Sequence, residues 1–390
     1  MRRRGVVGYF IAACLVRAAD AAAIVGVVLL GRDEGLGGLT GVLAACLTIP
    51  HLAGPVVAQV LDRTRAKRAV ISAAAALYGA AVLAAVALIG PAPFAAAASL
   101  LVAGACGPLL TGGLSSQLAG IVSDRPVALR RAQGMDALTY GVAGTAGPAA
   151  VGALAASLSP GAALTAAAAM AGVGAGAVWL IPVRVGENRR PVAGSSVARS
   201  LSYLWRVPGL SRATVATAVT AIPLGAVPLI ALATVETLER GPASLALLTA
   251  ANAFGGFVVS LLLIAFPLRG EADRLVRYGT FAVVAALAAG AAIVGMPSAV
   301  VVFGVVGAAT GLLFAASLAA RTAYSPPGAQ AQVFTSIAAL KGVCGSLGTA
   351  VTGAVLPVGS AAIFLMATGL ALLAALALLL DRRPPAAATS

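Results

Sequence analysis

The sequence predicts an all-α integral membrane protein whose twelve transmembrane helices form two bundles of six, with both chain ends in the cytoplasm. Its 390 residues are 60% hydrophobic and only 10% charged, and the mean hydropathy is +1.01. A water-soluble domain cannot hide that much apolar surface, because its outside must be polar enough for water. Repeated apolar runs of about 18 residues or more are instead typical of transmembrane helices.

Twelve apolar runs are separated by Gly-Pro pairs, single prolines and charged clusters, which commonly end helices. The longest polar link, residues 183–211, divides the chain into two sets of six runs. We therefore predict an N-terminal six-helix bundle at 1–182, a central cytoplasmic linker at 183–211, a C-terminal six-helix bundle at 212–381 and a short cytoplasmic tail at 382–390. The predicted spans are 6–30, 39–61, 69–90, 92–121, 135–157, 160–181, 212–234, 243–267, 277–296, 298–320, 331–356 and 359–380.

The positive charges provide a test of this map. With both ends inside, 22 of the 26 Lys and Arg residues fall in cytoplasmic links or ends. Arg32 and Arg240 fall on the opposite side, and Arg17 and Lys341 lie within spans. Cytoplasmic loops carry this kind of excess. The net charge of +14 is spread over short links rather than over one soluble face, so no nucleic-acid partner is expected.

An internal repeat supports the division into halves. Residues Gly144–Leu154 read GTAGPAAVGAL, and Gly345–Val355 read GSLGTAVTGAV at an offset of 201 residues. Both stretches lie in the fifth span of their half, although close helix packing alone also produces spaced glycines. The residues expected to pack or bend these helices are Gly144, Gly147, Pro148, Gly152, Gly345, Gly348 and Gly353.

Charged and titratable residues inside the spans are the main candidates for a transport pathway, because charges in hydrocarbon are costly. Arg17 and Asp20 stand i,i+3 in the first span and share a face. They are interpreted either as a cavity-facing pair with Asp20 as the proton or cation site, or as a static ion pair. Lys341 lies deep in span 11, where it binds an anionic group, titrates or pairs with an acid. His51 is either a proton relay or a neutral, hydrogen-bonded histidine.

Three further polar residues complete the predicted substrate and ion pathway. Asp136 and Tyr140 open span 5 one turn apart, with Asp136 either in the pathway or at the cytoplasmic surface as a helix-start acid. Asn252 in span 8 binds substrate or bridges helices. The single His and the four scattered Cys residues suggest no metal site, no disulfide framework and no cofactor.

The link after the second span, residues 58–70, reads AQVLDRTRAKRAV and holds five charges in seven residues. It resembles the G-x-L-A-D-R-x-G-R-K-x-x-L motif of the major facilitator superfamily, with matches at Asp62, Arg63 and Lys67. The resemblance covers essentially the whole chain and implies two six-helix bundles that open alternately to either side. It also implies that these three residues form a cytoplasmic gate. Gly147-Pro148 and the following Gly152 resemble the G-P-rich fifth span of the family's exporters.

These observations predict a secondary active transporter in the bacterial cytoplasmic membrane, a proton-coupled exporter of a small organic molecule. The direction of transport comes from the resemblance alone. A uniporter or importer of a small metabolite is the alternative, and a channel or non-transporting scaffold is an alternative of another class. No phosphate-binding loop, nucleophile–base pair or catalytic residue is recognised, so an enzyme is not expected. The expected partners are the substrate, protons and the lipid bilayer, with the protein acting as a monomer.

Overall fold

The computed structural model describes residues 3–36, 39–122, 126–181, 197–240, 243–326 and 329–383, and these residues form helices without any β-strand. Within those ranges, eleven helices are long and apolar enough to cross a membrane. The predicted all-α membrane class is therefore confirmed, and the chain is a multi-pass membrane protein. The count of twelve spans and the cytoplasmic position of both ends stay predictions.

The described ranges contain seventeen α-helices. They are α1 (Arg3–Asp33), α2 (Leu39–Thr48), α3 (Gly54–Arg63), α4 (Lys67–Leu88), α5 (Pro93–Pro108), α6 (Leu114–Ser116), α7 (Leu118–Ile121), α8 (Pro126–Ser157), α9 (Pro160–Ala177), α10 (Val197–Arg206), α11 (Pro208–Gly225), α12 (Val227–Thr237), α13 (Ala243–Ala265), α14 (Ala272–Ala289), α15 (Met296–Tyr324), α16 (Gln330–Val355) and α17 (Ser360–Leu380). At the predicted fifth span, α8 is long enough to cross with 32 residues. The glycines of α8 and the charges near its start make it less apolar than the eleven helices counted above, and it is not one of them.

Proline and serine fix where several of these helices begin. Pro93, Pro160 and Pro208 each occupy the first turn of a helix, where a missing backbone N–H costs nothing. Ser159 precedes α9, and its hydroxyl accepts a hydrogen bond from the backbone N–H of Ala162 at 3.1 Å. This is the N-cap interaction that satisfies an otherwise unpaired amide. These prolines and Ser159, which interrupt the apolar runs of the sequence, therefore mark where helices begin.

Two predicted spans are not continuous α-helices. The second, predicted at 39–61, changes to a 3₁₀ segment at Ile49–Ala53, because Pro50 cannot donate the backbone hydrogen bond that an α-helix needs. The seventh is divided at Ala226, between Pro223 and Pro228, into α11 and α12. Prolines in membrane helices are tolerated where neighbouring groups satisfy the freed backbone. Each break falls near the middle of its span.

The fourth span, predicted at 92–121, is also irregular. After α5 the chain forms a π-helical turn at Leu109–Gly113, followed by the short helices α6 and α7. A methyl group at Gly112 would lie 3.0 Å from the backbone of Phe334 and Thr335 in α16. Single π-helical turns are frequent at functional sites. The small residues of this turn allow close approach of the first turns of α16.

The first compact unit comprises Met1–Ala132, Thr139–Leu201 and Pro326–Ala339. In it, α1 and α4 both pack against α9, and α4 also packs along α5. Val151 of α8 joins the same core against Ala22 of α1. The start of α16, from the second half of the sequence, therefore belongs to a unit built mainly from the first half.

The second compact unit comprises Gln133–Leu138, Ser202–Ser325 and Leu340–Ser390. Here α13 and α14 both pack along α15, and α17 packs against α11 and α14. Phe303 of α15 and Phe364 of α17 meet edge to face, with ring centroids 5.9 Å apart. Alanine and glycine fill most of the remaining contacts, which is how membrane helices approach closely without a hydrophobic driving force.

The internal repeat has equivalent packing in the two units. A methyl group at Gly147 of α8 would lie 2.6 Å from the carbonyl oxygen of Ala18 in α1. One at Gly348 of α16, 201 positions later, would lie 1.8 Å from the carbonyl oxygen of Ile222 in α11. Both glycines therefore allow the fifth helix of a half to contact the first helix of that half.

The other repeat positions are less constrained. A methyl group at Gly144 or Gly152 meets no atom within 4 Å, and one at Gly345 makes only ordinary contacts. Pro148 lies inside α8, and Gly353 lies in α16. Gly345 nevertheless lies close to α11, because a methyl group at Gly225 would lie 2.5 Å from the Gly345 Cα atom.

Candidate functional site

The irregular middle of the second span presents His51 to Asp20 of α1. His51 lies in the 3₁₀ segment, and its Nε2 atom is 3.8 Å from Asp20 Oδ2. The Asp20 side chain is 16% exposed and the His51 side chain 27% exposed, so both are partly accessible. A methyl group at Gly107 would lie 2.3 Å from His51 Nε2, so only glycine leaves room for this ring.

Tyr78 of α4 is a neighbour of this pair that the sequence analysis does not identify. Its side chain is fully buried, and its hydroxyl lies within electrostatic range of Asp20 and Cys106. The hydroxyl is not aligned for a hydrogen bond with any residue that the structure describes. A buried phenol with an acid as polar neighbour therefore adds a third span to the Asp20–His51 site. In the sequence, Tyr78 is marked only by being a tyrosine in an alanine-rich span.

Arg17 is held by hydroxyl groups from other spans. It is 2% exposed, and its Nη2 atom donates to Ser115 Oγ at 2.8 Å. Its Nη1 atom donates to Thr139 Oγ1, and the guanidinium carbon lies 3.8 Å from the centroid of the Tyr140 ring. Ser115 Oγ and the Tyr140 hydroxyl share a hydrogen bond of 3.1 Å. The fourth and fifth spans therefore clamp this arginine.

The pairing of Arg17 with Asp20 that their spacing predicts does not occur. Arg17 turns to the hydroxyl groups of α6 and α8, whereas the Asp20 carboxylate faces His51 of the second span. An i,i+3 spacing places two residues on one helix face, but neighbouring helices offer each side chain a different partner. Both residues stay in the first unit, at separate polar clusters.

Asp136 is buried rather than solvated. The sequence places it at the start of the fifth span, but α8 begins at Pro126, ten residues earlier. Asp136 is 1% exposed, so its interpretation as a surface helix-start acid is wrong. A carboxylate at this depth needs polar partners, since an unpaired buried charge is costly. The sequence prediction starts span 5 too late, because it assigns the arginines near the start of α8 to the preceding link.

Asp62 caps the first turn of α16. Its Oδ1 atom accepts a hydrogen bond from the backbone N–H of Ala331 at 3.0 Å, and its Oδ2 atom accepts one from Gln332 at 2.9 Å. A carboxylate at a helix N-terminus is stabilised both by the free amides and by the helix dipole. Lys67 is half-buried and close enough to interact with Asp62, whereas Arg63 is exposed. The contact joins residues far apart in the sequence.

Lys341 and Asn252 lie in the second unit. The Lys341 ammonium group sits 4.5 Å from the centroid of the Phe314 ring, in a cation–π contact between α16 and α15. Asn252 lies where α13 meets α15, and a methyl group at Gly307 would be 1.8 Å from the Asn252 carbonyl oxygen. Its side-chain Oδ1 atom makes no hydrogen bond with the described residues. Asn252 therefore sits at a helix crossing.

A charged cluster at one end of the second unit also escapes the sequence analysis. Arg212 is 2% exposed, its Nη1 atom lies 3.0 Å from Asp273 Oδ2, and its Nε atom lies 3.3 Å from Asp381 Oδ2. A hydrogen bond from the Arg383 guanidinium holds the pKa of Asp381 well below its usual range, and nearby Arg212 lowers it further. The signal in the sequence is the presence of acids in two basic segments, Glu271 and Asp273 in one and Asp381 in the other.

The described residues contain no group of three or more His, Cys, Asp or Glu side chains placed to hold a metal ion. None of the four cysteines forms a disulfide; Cys46 and Cys106 are buried, and Cys14 and Cys344 are half-buried.

No family model matches the sequence, and no curated protein matches it. Solved structures do match its fold. The human organic anion transporter MFSD10 gives a TM-score of 0.75 at 16% identity, covering 96% of this chain and 99% of that one. A bacterial homologue of the iron transporter ferroportin, in an outward-facing state, gives 0.76 at 15% identity over 96% and 98%. The major facilitator superfamily proton:xylose symporter XylE gives 0.72 at 10% identity over 98% and 97%.

Proposed function

The chain has the fold of the major facilitator superfamily, and we propose that it is a secondary active transporter rather than an enzyme. It moves a small organic molecule across the membrane by alternating access, and it couples that movement to protons. Transporters of this fold carry their substrate and ion sites between helices near the middle of the bilayer. The titratable side chains inside the spans of this chain suit that location.

The observation that carries the proposal is the Asp20–His51 contact. A carboxylate and an imidazole 3.8 Å apart, on the first and second spans, can share or release one proton as the surroundings change. Because both side chains are partly exposed, water or substrate can reach them. Titratable groups inside membranes are costly and commonly mark proton or substrate pathways. Asp20 is therefore the proposed proton site, with His51 as its relay.

The contact between Asp62 and α16 supports a gate. Two backbone amides of a helix from the second half of the sequence donate to a carboxylate of the first half. Such a contact is directional and breaks when the helix end moves by a few ångströms. We assign it to closure of the pathway on the predicted cytoplasmic side, with Lys67 supporting the carboxylate and Arg63 facing outward.

Export and location in a bacterial cytoplasmic membrane belong to the same proposal. They rest on the resemblance of Gly147-Pro148 and Gly152 in α8 to the fifth span of exporters. Of these residues, Gly147 is the one that contacts the first span closely. Import or uniport of a metabolite is the other direction that the same architecture permits.

The test uses full-length protein in proteoliposomes loaded with a low-molecular-mass bacterial extract. A pH gradient is imposed, and compounds that leave are identified by mass spectrometry. Wild-type protein should release at least one organic compound faster with the gradient than without it. Asp20→Asn should lose the effect of the gradient while still exchanging the same compound across the membrane. His51→Gln should slow the gradient-driven phase.

Glu236→Gln is the matched control, because it removes a carboxylate from an exposed position at the end of α12. It should behave as wild type. Gradient-driven release by Asp20→Asn at the wild-type rate would eliminate Asp20 as the proton site. Exchange without any gradient effect in wild type would favour a uniporter, release without exchange would favour a channel, and neither release nor exchange would favour a non-transporting scaffold.

A further inference from the structure

Lys341 is the central residue of its span. The candidate span Gln330–Thr352 places eleven residues on either side of it. At about 1.5 Å per residue, its Cα atom is roughly 17 Å from each end, too far for a lysine side chain to reach the bilayer surface easily. Ionisable groups at this depth mark substrate or ion pathways far more often than they serve packing.

The neighbours of Lys341 offer it no negative charge. None of the ion pairs formed by the described residues includes Lys341, and it has no other polar contact there. Within the part of the chain that the structure describes, its charged neighbour is Arg321 of α15, which is also a cation. Its ammonium group rests instead on the face of Phe314, 4.5 Å from the ring centroid. A cation–π contact orients an ammonium group but does not neutralise it.

Open space lies beside the ammonium-bearing turn of α16. The Lys341 side chain is partly exposed, and a methyl group at the adjacent Gly342 meets no atom within 4 Å. Charged side chains in membrane spans almost always face the bundle interior or a water-filled cavity. The position therefore combines a positive charge, an aromatic surface and room for a ligand.

We propose that Lys341 and Phe314 form the binding site for a small organic anion, with the ammonium group contacting a carboxylate and the ring contacting the apolar body. A lysine acts as a point charge and suits a carboxylate without requiring two-pronged geometry. This inference rests on the proposed transport function and names its substrate class. It makes the organic anion the cargo, while Asp20 handles the proton.

The test measures stabilisation of the purified full-length protein by benzoate and nicotinate, with the uncharged benzamide and nicotinamide as matched ligands. Thermal unfolding is followed as each compound is titrated. The two carboxylates should raise the melting temperature and the amides should not. Lys341→Gln should weaken carboxylate binding by about ten- to a hundredfold, as expected for loss of a charge-assisted hydrogen bond. Lys341→Arg should retain most of it.

Phe314→Leu keeps the ammonium group and should weaken binding several-fold, which gives a second measurement if Lys341→Gln does not fold. Arg240→Gln removes an exposed positive charge elsewhere and should bind as wild type does. Any of three results would overturn the assignment. The amides could stabilise as much as the carboxylates, Lys341→Gln could bind as wild type does, or neither carboxylate could stabilise the protein. The binding measurement uses no pH gradient, so failure of proton coupling and failure of the anion site are read separately.

Discussion

Replacing Arg212 by Gln should lower the free energy of unfolding by about 3 kcal/mol, because it leaves the buried Asp273 and the half-buried Asp381 short of a partner. The guanidinium group lies 3.0 Å from Asp273 and 3.3 Å from Asp381, and Nη2 also donates to the Asp381 carbonyl oxygen at 3.0 Å. The two carboxylate contacts are close but not aligned as hydrogen bonds. They therefore act mainly through charge.

The magnitude follows from what remains after the substitution. Removing one partner of a buried ion pair costs about 3–5 kcal/mol when the other charge is left uncompensated. Here Arg277 stays 2.9 Å from Asp273, and Arg383 stays 2.7 Å from Asp381. The expected loss is therefore near the lower end of that range. Both retained arginines are more exposed than Arg212, so they replace it only in part.

The measurement is unfolding of the purified protein in mixed micelles by a titration with dodecyl sulfate, followed by circular dichroism. The matched control is Arg274→Gln. Arg274 pairs with Glu271 at 3.3 Å, but both side chains are more than half exposed, so the loss should be about 0–1 kcal/mol. If Arg212→Gln were no more destabilising than Arg274→Gln, the cluster would contribute nothing and the reasoning would be wrong.

Three other perturbations have defined outcomes. Because Arg383 depresses the folded-state pKa of Asp381, their contact should stabilise the protein above about pH 4, the ordinary aspartate pKa, and be lost as pH falls toward the folded value. Thermal melts across that range should show this loss in wild type. Gly348→Ala should destabilise by about 1–3 kcal/mol through its clash with a backbone carbonyl, whereas Gly152→Ala should be neutral or stabilise by up to about 1 kcal/mol. Asp62→Ala should cost about 0.5–2 kcal/mol and speed hydrogen exchange at the first amides of α16.

Each of these perturbations has its own control. In Asp381→Asn, the melting temperature should fall less toward acid pH than in wild type. An unchanged fall would assign the pH effect to other groups. Equal melting temperatures for the two glycine variants would contradict the close contact in α16. Asp33→Ala, at the exposed end of α1, should leave exchange in α16 unchanged. Unaltered exchange after Asp62→Ala would show that the carboxylate does not hold that helix end.

Span positions were predictable because lipid constrains the chain so severely. Backbone groups in hydrocarbon must be paired within a helix, so each apolar run of sufficient length has one regular solution. The breaks were harder to place. Pro50 signals the change in span 2, but nothing in residues 109–113 announces a π-helical turn. Whether a π-helical turn forms there depends on how the neighbouring helices pack against the backbone.

The candidate site shows the same division. Arg17, Asp20 and His51 stand out in the sequence because charge is rare in a span, and all three lie in polar surroundings. Their partners did not follow from spacing. An i,i+3 relation describes positions on one helix only. That Arg17 contacts Tyr140 and Asp20 contacts His51 depends on which helices lie beside α1. The sequence does not identify Tyr78 as part of this site, because its burial beside Asp20 depends on how the helices pack.

By itself, the sequence determined the membrane class, the helical spans and the resemblance that leads to the fold, since hydropathy and short-range signals act residue by residue. Only the tertiary structure decided that Arg17 and Asp20 separate and that Asp62 caps α16. It also decided that Arg212 gathers two acids and that Lys341 rests on an aromatic ring. The physical reason is that charge and hydrogen bonding act over a few ångströms between helices whose adjacency no local pattern encodes.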